Sequence, residues 1–215
     1  IITANSAATK ADIHHQTHCA NEKISVVHIC VGQQFQSHPK PFNIQNPRIL
    51  QIGTAPNKNL ERLIPALKNI PCTLVIVGKV SDRIKQLLSE NNIQAECIER
   101  RLTDQEILEQ YQRCDILSLV STLEGFGMPI VEANAVGRVV ISSNTTSMPE
   151  IAADAAVLVD PFDVASIRAG FIKILEDPNL REKLIANGYI NHKRFQTKHL
   201  AQQYADLYNQ MLSKC

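Results

Sequence analysis

The run Ile116-Leu-Ser-Leu-Val120 is followed at once by Ser121-Thr-Leu-Glu-Gly-Phe-Gly-Met-Pro-Ile-Val-Glu132, and the pattern changes between the two. The first part reads as a buried β-strand. The second begins as a loop carrying Gly125 and Gly127 and becomes a helix at Pro129, a residue suited to a first helical turn because its missing N–H would be unpaired there anyway. Strand, loop and helix in that order place the loop at the carboxyl edge of a parallel sheet, where open α/β folds bind ligands.

The same alternation extends on both sides. Strands are predicted at Ile49–Ile52, Thr73–Val77, Ala95–Ile98, Ile116–Val120, Val139–Ser142 and Ala156–Val159, with amphipathic helices between them. The predicted fold class is therefore α/β, a doubly wound parallel sheet of six strands. Thr103 with Glu106 and Ser147 with Glu150 each read as a capping box opening a helix. Leu60, Leu63, Ile64 and Leu67 form the core stripe of one helix, and Ile107, Leu108 and Tyr111 that of another. Beyond residue 160, helical patterns run over Val164–Glu176, from Leu180 to Lys193 and from Lys198 to the end, the last with an apolar face of Leu200, Tyr204, Leu207, Tyr208 and Met211.

Residues 1–45 differ. They offer a strand-like Ile1–Thr3, a helix, an apolar run at Ile24–Ile29 and a Pro39–Pro41 segment, too little for a core of their own. This stretch is expected to be the remnant of a missing N-terminal domain and its linker, with residues 46–215 as the ligand-binding domain. The start at Ile1 rather than Met points the same way, to processing or to a fragment of something longer.

The chain has 215 residues, with 22 Lys and Arg against 21 Asp and Glu, a formal charge of +1 that excludes the broad basic field of a non-specific nucleic-acid binder. No apolar run reaches the roughly 18 residues of a membrane span, and no signal peptide is recognisable. Cys19, Cys30, Cys72, Cys97, Cys114 and Cys215 form no C-x-x-C pair, which fits a reducing cytoplasm. His14, His15, His18 and Cys19 lie close in sequence, but their polar neighbours are those of a solvated helix and no second ligand pair follows; no metal site is expected.

The chemistry is expected in the Ser121–Glu132 stretch. First-turn amides of Gly127, Met128 and Ile130 would point out of the helix unpaired and attract an anion. Glu124, in the loop before them, and Glu132, in the first helical turn, flank them. A carboxylate beside a phosphate repels it, so the two would face neutral donors such as sugar hydroxyls, and hydroxylated rings on either side of a phosphate are the outline of a nucleotide sugar. The alternative stays open that Glu132 only complements the helix dipole, worth about 0.3–1 kcal/mol, and that Glu124 is a solvated loop residue. The dinucleotide fingerprint is absent, since Ile130 stands where a glycine is needed; no Walker loop and no D-x-D occur. The positive charge then falls to the protein, and Lys58 in Gly53-Thr-Ala-Pro-Asn-Lys58-Asn59 is the candidate, at the start of the first helix on the same sheet edge. By itself it also reads as an exposed first-turn lysine. Ser142–Glu150 is a third polar loop whose hydroxyls could contact a sugar or phosphate, but turn formation alone explains its composition and is the favoured reading.

Glu124-Gly-Phe-Gly-Met-Pro-Ile-Val-Glu132, the following Ala-Asn-Ala-Val-Gly-Arg-Val-Val-Ile-Ser, Ser147-Met-Pro-Glu-Ile151 and Ala155-Ala-Val-Leu-Val-Asp-Pro-Phe-Asp163 resemble family 4 retaining glycosyltransferases. The resemblance implies a GT-B architecture of two Rossmann-like domains, this chain being the C-terminal, donor-binding half. It further implies that Glu124 contacts the transferred sugar, that Lys58 serves the diphosphate with Gly53 and Thr54 also in the donor site, that the backbone of Gly125, Phe126, Gly127, Met128 and Ile130 meets sugar and phosphate, and that Glu132 holds the ribose. Glu124 and Lys58 would be the catalytic pair. The donor would be a UDP-sugar or GDP-sugar with no further cofactor, and the acceptor a glycan or lipid-linked glycan at the cytoplasmic side of the inner membrane, with peripheral association there. Transfer would need the N-terminal domain. Two departures stand out: Asn57 lies where many members have an Arg, and Ser147-Met148 where a glycine pair is common. The rivals are a non-catalytic nucleotide-sugar-binding or regulatory module of the same fold, and a purely structural module.

Overall fold

A computed structural model describes residues 1–213; Cys215 lies outside the described residues. The chain opens with β1 (Ile2–Ala4), α1 (Ala7–Thr17) and β2 (Ile24–Val26), with β1 and β2 paired in parallel as a two-stranded sheet. An extended segment then leads to β3 (Arg48–Ile52), α2 (Leu60–Ala66), β4 (Thr73–Val77), α3 (Asp82–Glu90), β5 (Gln94–Ile98), α4 (Asp104–Arg113), β6 (Ile116–Leu119), α5 (Met128–Val136), β7 (Val139–Ser143), α6 (Met148–Ala152) and β8 (Val157–Val159). The helices α7 (Val164–Glu176), α8 (Pro178–Asn191) and α9 (Thr197–Leu212) complete it. All six expected strands of the main sheet form, within a residue or two of the expected ends.

That sheet is parallel throughout, in the order β5-β4-β3-β6-β7-β8. After β5 the chain returns to the centre and lays β6 beside β3, so the direction of winding reverses between those two strands. The reversal opens a crevice at their carboxyl ends. One face is covered by Leu60, Leu63, Ile64 and Leu67 of the α2 region, Ile84, Leu87 and Leu88 of α3, and Ile167, Phe171 and Ile174 of α7. The other is covered by α4, α5 and α6, with Val31, Phe35 and Phe195 closing its margin. The helix α5 is buried on every side, as its run of Ile130, Val131, Ala133, Ala135 and Val136 demands, and it stops at Gly137, whose φ of 83° suits glycine.

The segment before β3 is tied to this body by buried charge. Asp115 accepts from Lys40 Nζ and from the backbone amides of Asn43 (3.1 Å) and Arg48 (2.8 Å). The Arg138 guanidinium donates to the carbonyls of Tyr111, Gly137, His38 and Gln112. On α9, Leu200 and Leu207 are buried, whereas Tyr204, Tyr208 and Leu212 lie on the surface, with Tyr208 61% exposed. The expected apolar face is thus half covered. In the expected histidine cluster, His14 Nδ1 lies 2.7 Å from the Cys19 carbonyl, and His18 ends α1 in a left-handed turn.

Candidate functional site

Two loops meet at the carboxyl ends of β3 and β6. After β3 the chain turns at Gly53 (φ 89°), where a Cβ would sit 3.0 Å from Lys58 Cε; glycine is what lets the lysine chain fold back across its own strand end. Lys58 closes a 3-10 turn (Pro56–Lys58), a correction to its expected place in the first turn of α2, which begins at Leu60 after the left-handed Asn59. Asn59 is buried and its amide donates to the carbonyls of Val120 (2.9 Å) and Pro161 (2.7 Å). Asn57, the residue in place of the expected Arg, joins the loops: its Nδ2 donates to Leu123 O at 2.9 Å and its carbonyl accepts from Thr122 N at 2.8 Å. Thr54 packs beside Gly78 at the end of β4.

These bonds bring Lys58 against Glu124, with Nζ 2.6 Å from Oε1 and both side chains more than four-fifths buried at 18% and 15% exposure. Sequence reasoning had each facing a ligand; the structure pairs them with each other. Opposite charges this close and partly desolvated neutralise each other, and exchanging that pairing for ligand groups requires an anion for the ammonium and donors for the carboxylate.

Beyond Glu124, Gly127 (φ 105°) caps α5 without a side chain. The amide of Ile130 donates to Gly127 O at 3.0 Å, so it is not a free donor as expected. The amides of Gly125, Phe126, Gly127 and Met128 have no acceptor among the described residues. Four consecutive unpaired N–H groups running into the first residue of a helix form a concentrated partial positive charge. The Phe126 side chain turns away into the core, edge-on to Phe195 with centroids 5.6 Å apart.

Glu132 is the fifth residue of α5, beyond the first turn to which sequence spacing assigned it, and this weakens the helix-dipole explanation. Its Oε2 accepts from Tyr111 Oη at 2.6 Å, while Oε1 has no partner among the described residues. Burial pushes the Glu132 carboxyl up, against the Tyr111 hydrogen bond and with the Asp104 carboxylate adding to the rise. Tyr111, taken from sequence as core only, is fully buried and its hydroxyl is pushed well up by burial and by Glu132. The signal that would have found this pairing is a tyrosine on a core stripe, since a buried phenol needs a partner.

The third loop supplies the frame. Ser142 Oγ donates to Leu119 O (3.2 Å), Ser143 Oγ to Ser121 O (2.6 Å), and Thr146 Oγ1 accepts from Glu124 N (3.3 Å). The expected Ser147–Glu150 capping box does not form. Ser147 has helical φ and ψ, and its hydroxyl lies 2.9 Å from both Glu124 O and Phe126 O. Glu150 reaches away, accepting from Ala7 N at 2.8 Å and meeting His28 Nε2 at 2.9 Å. From the end of β5 onward, Cys97, Ile98, Glu99, Arg100 and Leu102 line a cleft together with Glu106, Gln110 and Arg113 of α4.

Residues 33–191 match the model of the family described as glycosyl transferases group 1. Among curated proteins, the serotype-specific mannosyltransferase WbdA of Escherichia coli is 27% identical over 93% of this chain and 28% of its own length. The O-antigen chain mannosyltransferase B of Escherichia coli is 30% identical over 74% of this chain and 45% of its own. The chain thus spans less than half of either. Among solved structures, Anabaena HepE in complex with UDP and glucose superposes with a TM-score of 0.84 at 20% identity, over 98% of this chain and 63% of that one. Sucrose-phosphate synthase from Thermosynechococcus elongatus gives 0.84 at 22%, over 99% and 58%. The doubly wound sheet is that of the GT-B glycosyltransferases, and with three-quarters of its length matching the family model this chain belongs to the glycosyl transferases group 1.

Proposed function

We propose that this chain is the donor-binding half of a glycosyltransferase that moves a hexose from a nucleoside-diphosphate sugar to a glycan or lipid-linked acceptor, with retention at the anomeric carbon. The observation that carries the reading is the Lys58–Glu124 pair at the winding reversal of the sheet, directly before the unpaired amides of Gly125 to Met128. A pyrophosphate takes the ammonium and the amides; the sugar hydroxyls take the released Glu124 carboxylate; the ribose hydroxyls donate to Glu132, whose Oε1 is open for them. As the glycosidic bond breaks, negative charge grows on the leaving diphosphate, and prearranged dipoles with one cation stabilise it there. The names of the Escherichia coli relatives favour mannose as the sugar and polysaccharide assembly as the setting.

Calorimetric titration with UDP, GDP and their sugars tests this. One charged contact plus several amides supports micromolar affinity, about 8 kcal/mol. Lys58→Ala and Glu132→Ala are each expected to weaken nucleotide binding by about 1.5–3 kcal/mol. Glu124→Gln, which frees Lys58, is expected to weaken the sugar nucleotide while leaving the bare diphosphate unchanged or tighter. Unaltered UDP and GDP affinity in Lys58→Ala would overturn the reading.

A further inference from the structure

In a trans peptide the carbonyl of one residue and the amide of the next share a plane and point in opposite directions. Fixing a carbonyl therefore aims the following N–H. Ser147 Oγ holds Glu124 O and Phe126 O, each at 2.9 Å, with its one hydrogen shared between them. Gly125 O, the carbonyl in between, accepts from Ser6 Oγ at 2.9 Å and Thr9 Oγ1 at 3.1 Å. Three successive carbonyls are thus gripped by hydroxyls, and the amides that follow them, those of Gly125, Phe126 and Gly127, are three of the four left without an acceptor. The fourth, Met128 N, shares its peptide with Gly127 O, which Ile130 N holds at 3.0 Å.

The hydroxyls come from two places far apart in sequence. Ser147 opens α6 and is fully buried. Ser6, also fully buried, caps α1 by accepting from Thr9 N at 3.0 Å, and Glu150 pins the same turn through Ala7 N. We infer that Ser147, Ser6 and Thr9 are positioning residues: they orient the backbone of Gly125 to Gly127 so that its amides face the donor's pyrophosphate. The turn at the start of α1 is then part of the donor site although it lies outside the main sheet and outside the stretch matched to the family. Without these hydroxyls each peptide gains freedom to rotate, and the amides lose their common direction before the ligand arrives.

This inference rests on the phosphate reading of the loop, and the test separates the two. UDP and GDP are titrated into the full chain, with uridine and guanosine as probes that lack phosphate. Ser147→Ala, and Ser6→Ala combined with Thr9→Val, are expected to weaken both diphosphates by about five- to tenfold and to leave the nucleosides unchanged. Ser6→Thr, which keeps a hydroxyl, restores the affinity. Thr9→Val alone, at a half-exposed position, gives a smaller loss in the same direction should the buried variants fail to fold. A wild-type chain that binds neither diphosphate overturns the phosphate reading and this inference with it. Wild-type binding that Lys58→Ala weakens and the hydroxyl variants do not, or an equal loss of nucleoside and diphosphate, overturns this inference alone.

Discussion

The turns that open α4 and α6 share the lettering S/T-x-x-E, Thr103 to Glu106 and Ser147 to Glu150, and they fold differently. At α4 the motif closes on itself: Glu106 N donates to Thr103 Oγ1 at 3.3 Å, and Thr103 N donates to Glu106 Oε2 at 2.8 Å. At α6 neither bond is made, because both side chains have partners elsewhere. Ser147 meets the carbonyls of the β6–α5 loop and Glu150 the first turn of α1 and His28. The difference lies in the surroundings. The α4 turn is open to solvent, where a local hydrogen bond is the best available. The α6 turn is buried against a loop whose Glu124 and Phe126 carbonyls take their hydrogen bonds from Ser147, and a buried acceptor left without a donor costs more than a frayed cap.

Four measurements break or sharpen that contrast. Ser147→Ala strands two buried carbonyls and is expected to cost about 1–3 kcal/mol in urea unfolding, together with the loss of diphosphate affinity described above. Glu150→Ala removes a charged acceptor from the amino terminus of α1 and is expected to cost about 1.5 kcal/mol. Thr103→Ala loses a solvent-facing cap, about 1 kcal/mol, with nucleotide affinity unchanged; an affinity loss matching that of Ser147→Ala would dissolve the distinction between a local cap and a site strut. The smallest effect concerns acid. The Arg100 hydrogen bond, followed by those from Thr103, holds the Glu106 carboxyl down at about 2 against an ordinary 4.5, so its contribution is present above the ordinary value and lost as pH falls towards the lower one. Glu132 is displaced the opposite way by burial, so it costs stability as pH rises through its raised value and costs nothing below the ordinary one. Melting temperatures from about pH 2 to about pH 7 should therefore fall less steeply on acidification in Glu106→Gln than in wild type, and in Glu132→Gln should gain on wild type as pH rises. Parallel curves for both variants would refute these assignments.

Much of the fold was legible because its signals are local. The apolar runs at Thr73–Val77 and Ile116–Leu119 are strands buried on both faces, and the stripe of Leu60, Leu63, Ile64 and Leu67 meets the core as its spacing requires. The site was legible in part. Glu124, Lys58 and the Gly127 turn come together at the sheet edge that strand–loop–helix order indicates, with Gly53 turning the chain just past β3. Helical numbering from Pro129 put Glu132 in the first turn, whereas α5 begins one residue earlier at Met128, and Ile130 N was counted free although it closes the first turn onto Gly127. Ser147 and Glu150 matched a local motif, and nothing in their own neighbourhood announced that α1 and the Gly125 loop would claim them.

Periodicity, turn chemistry and the order of strand, loop and helix were sufficient to specify an α/β sheet with a glycine-bearing loop at its carboxyl edge, since such preferences act over a few residues. The pairing of Lys58 with Glu124, the hold of Tyr111 on Glu132, and the hydroxyls from positions 6, 9 and 147 on one short loop emerged only in the folded chain. They join residues 21 to 119 positions apart, and hydrogen bonds at such separations are chosen by which polar groups are left buried together after the helices pack.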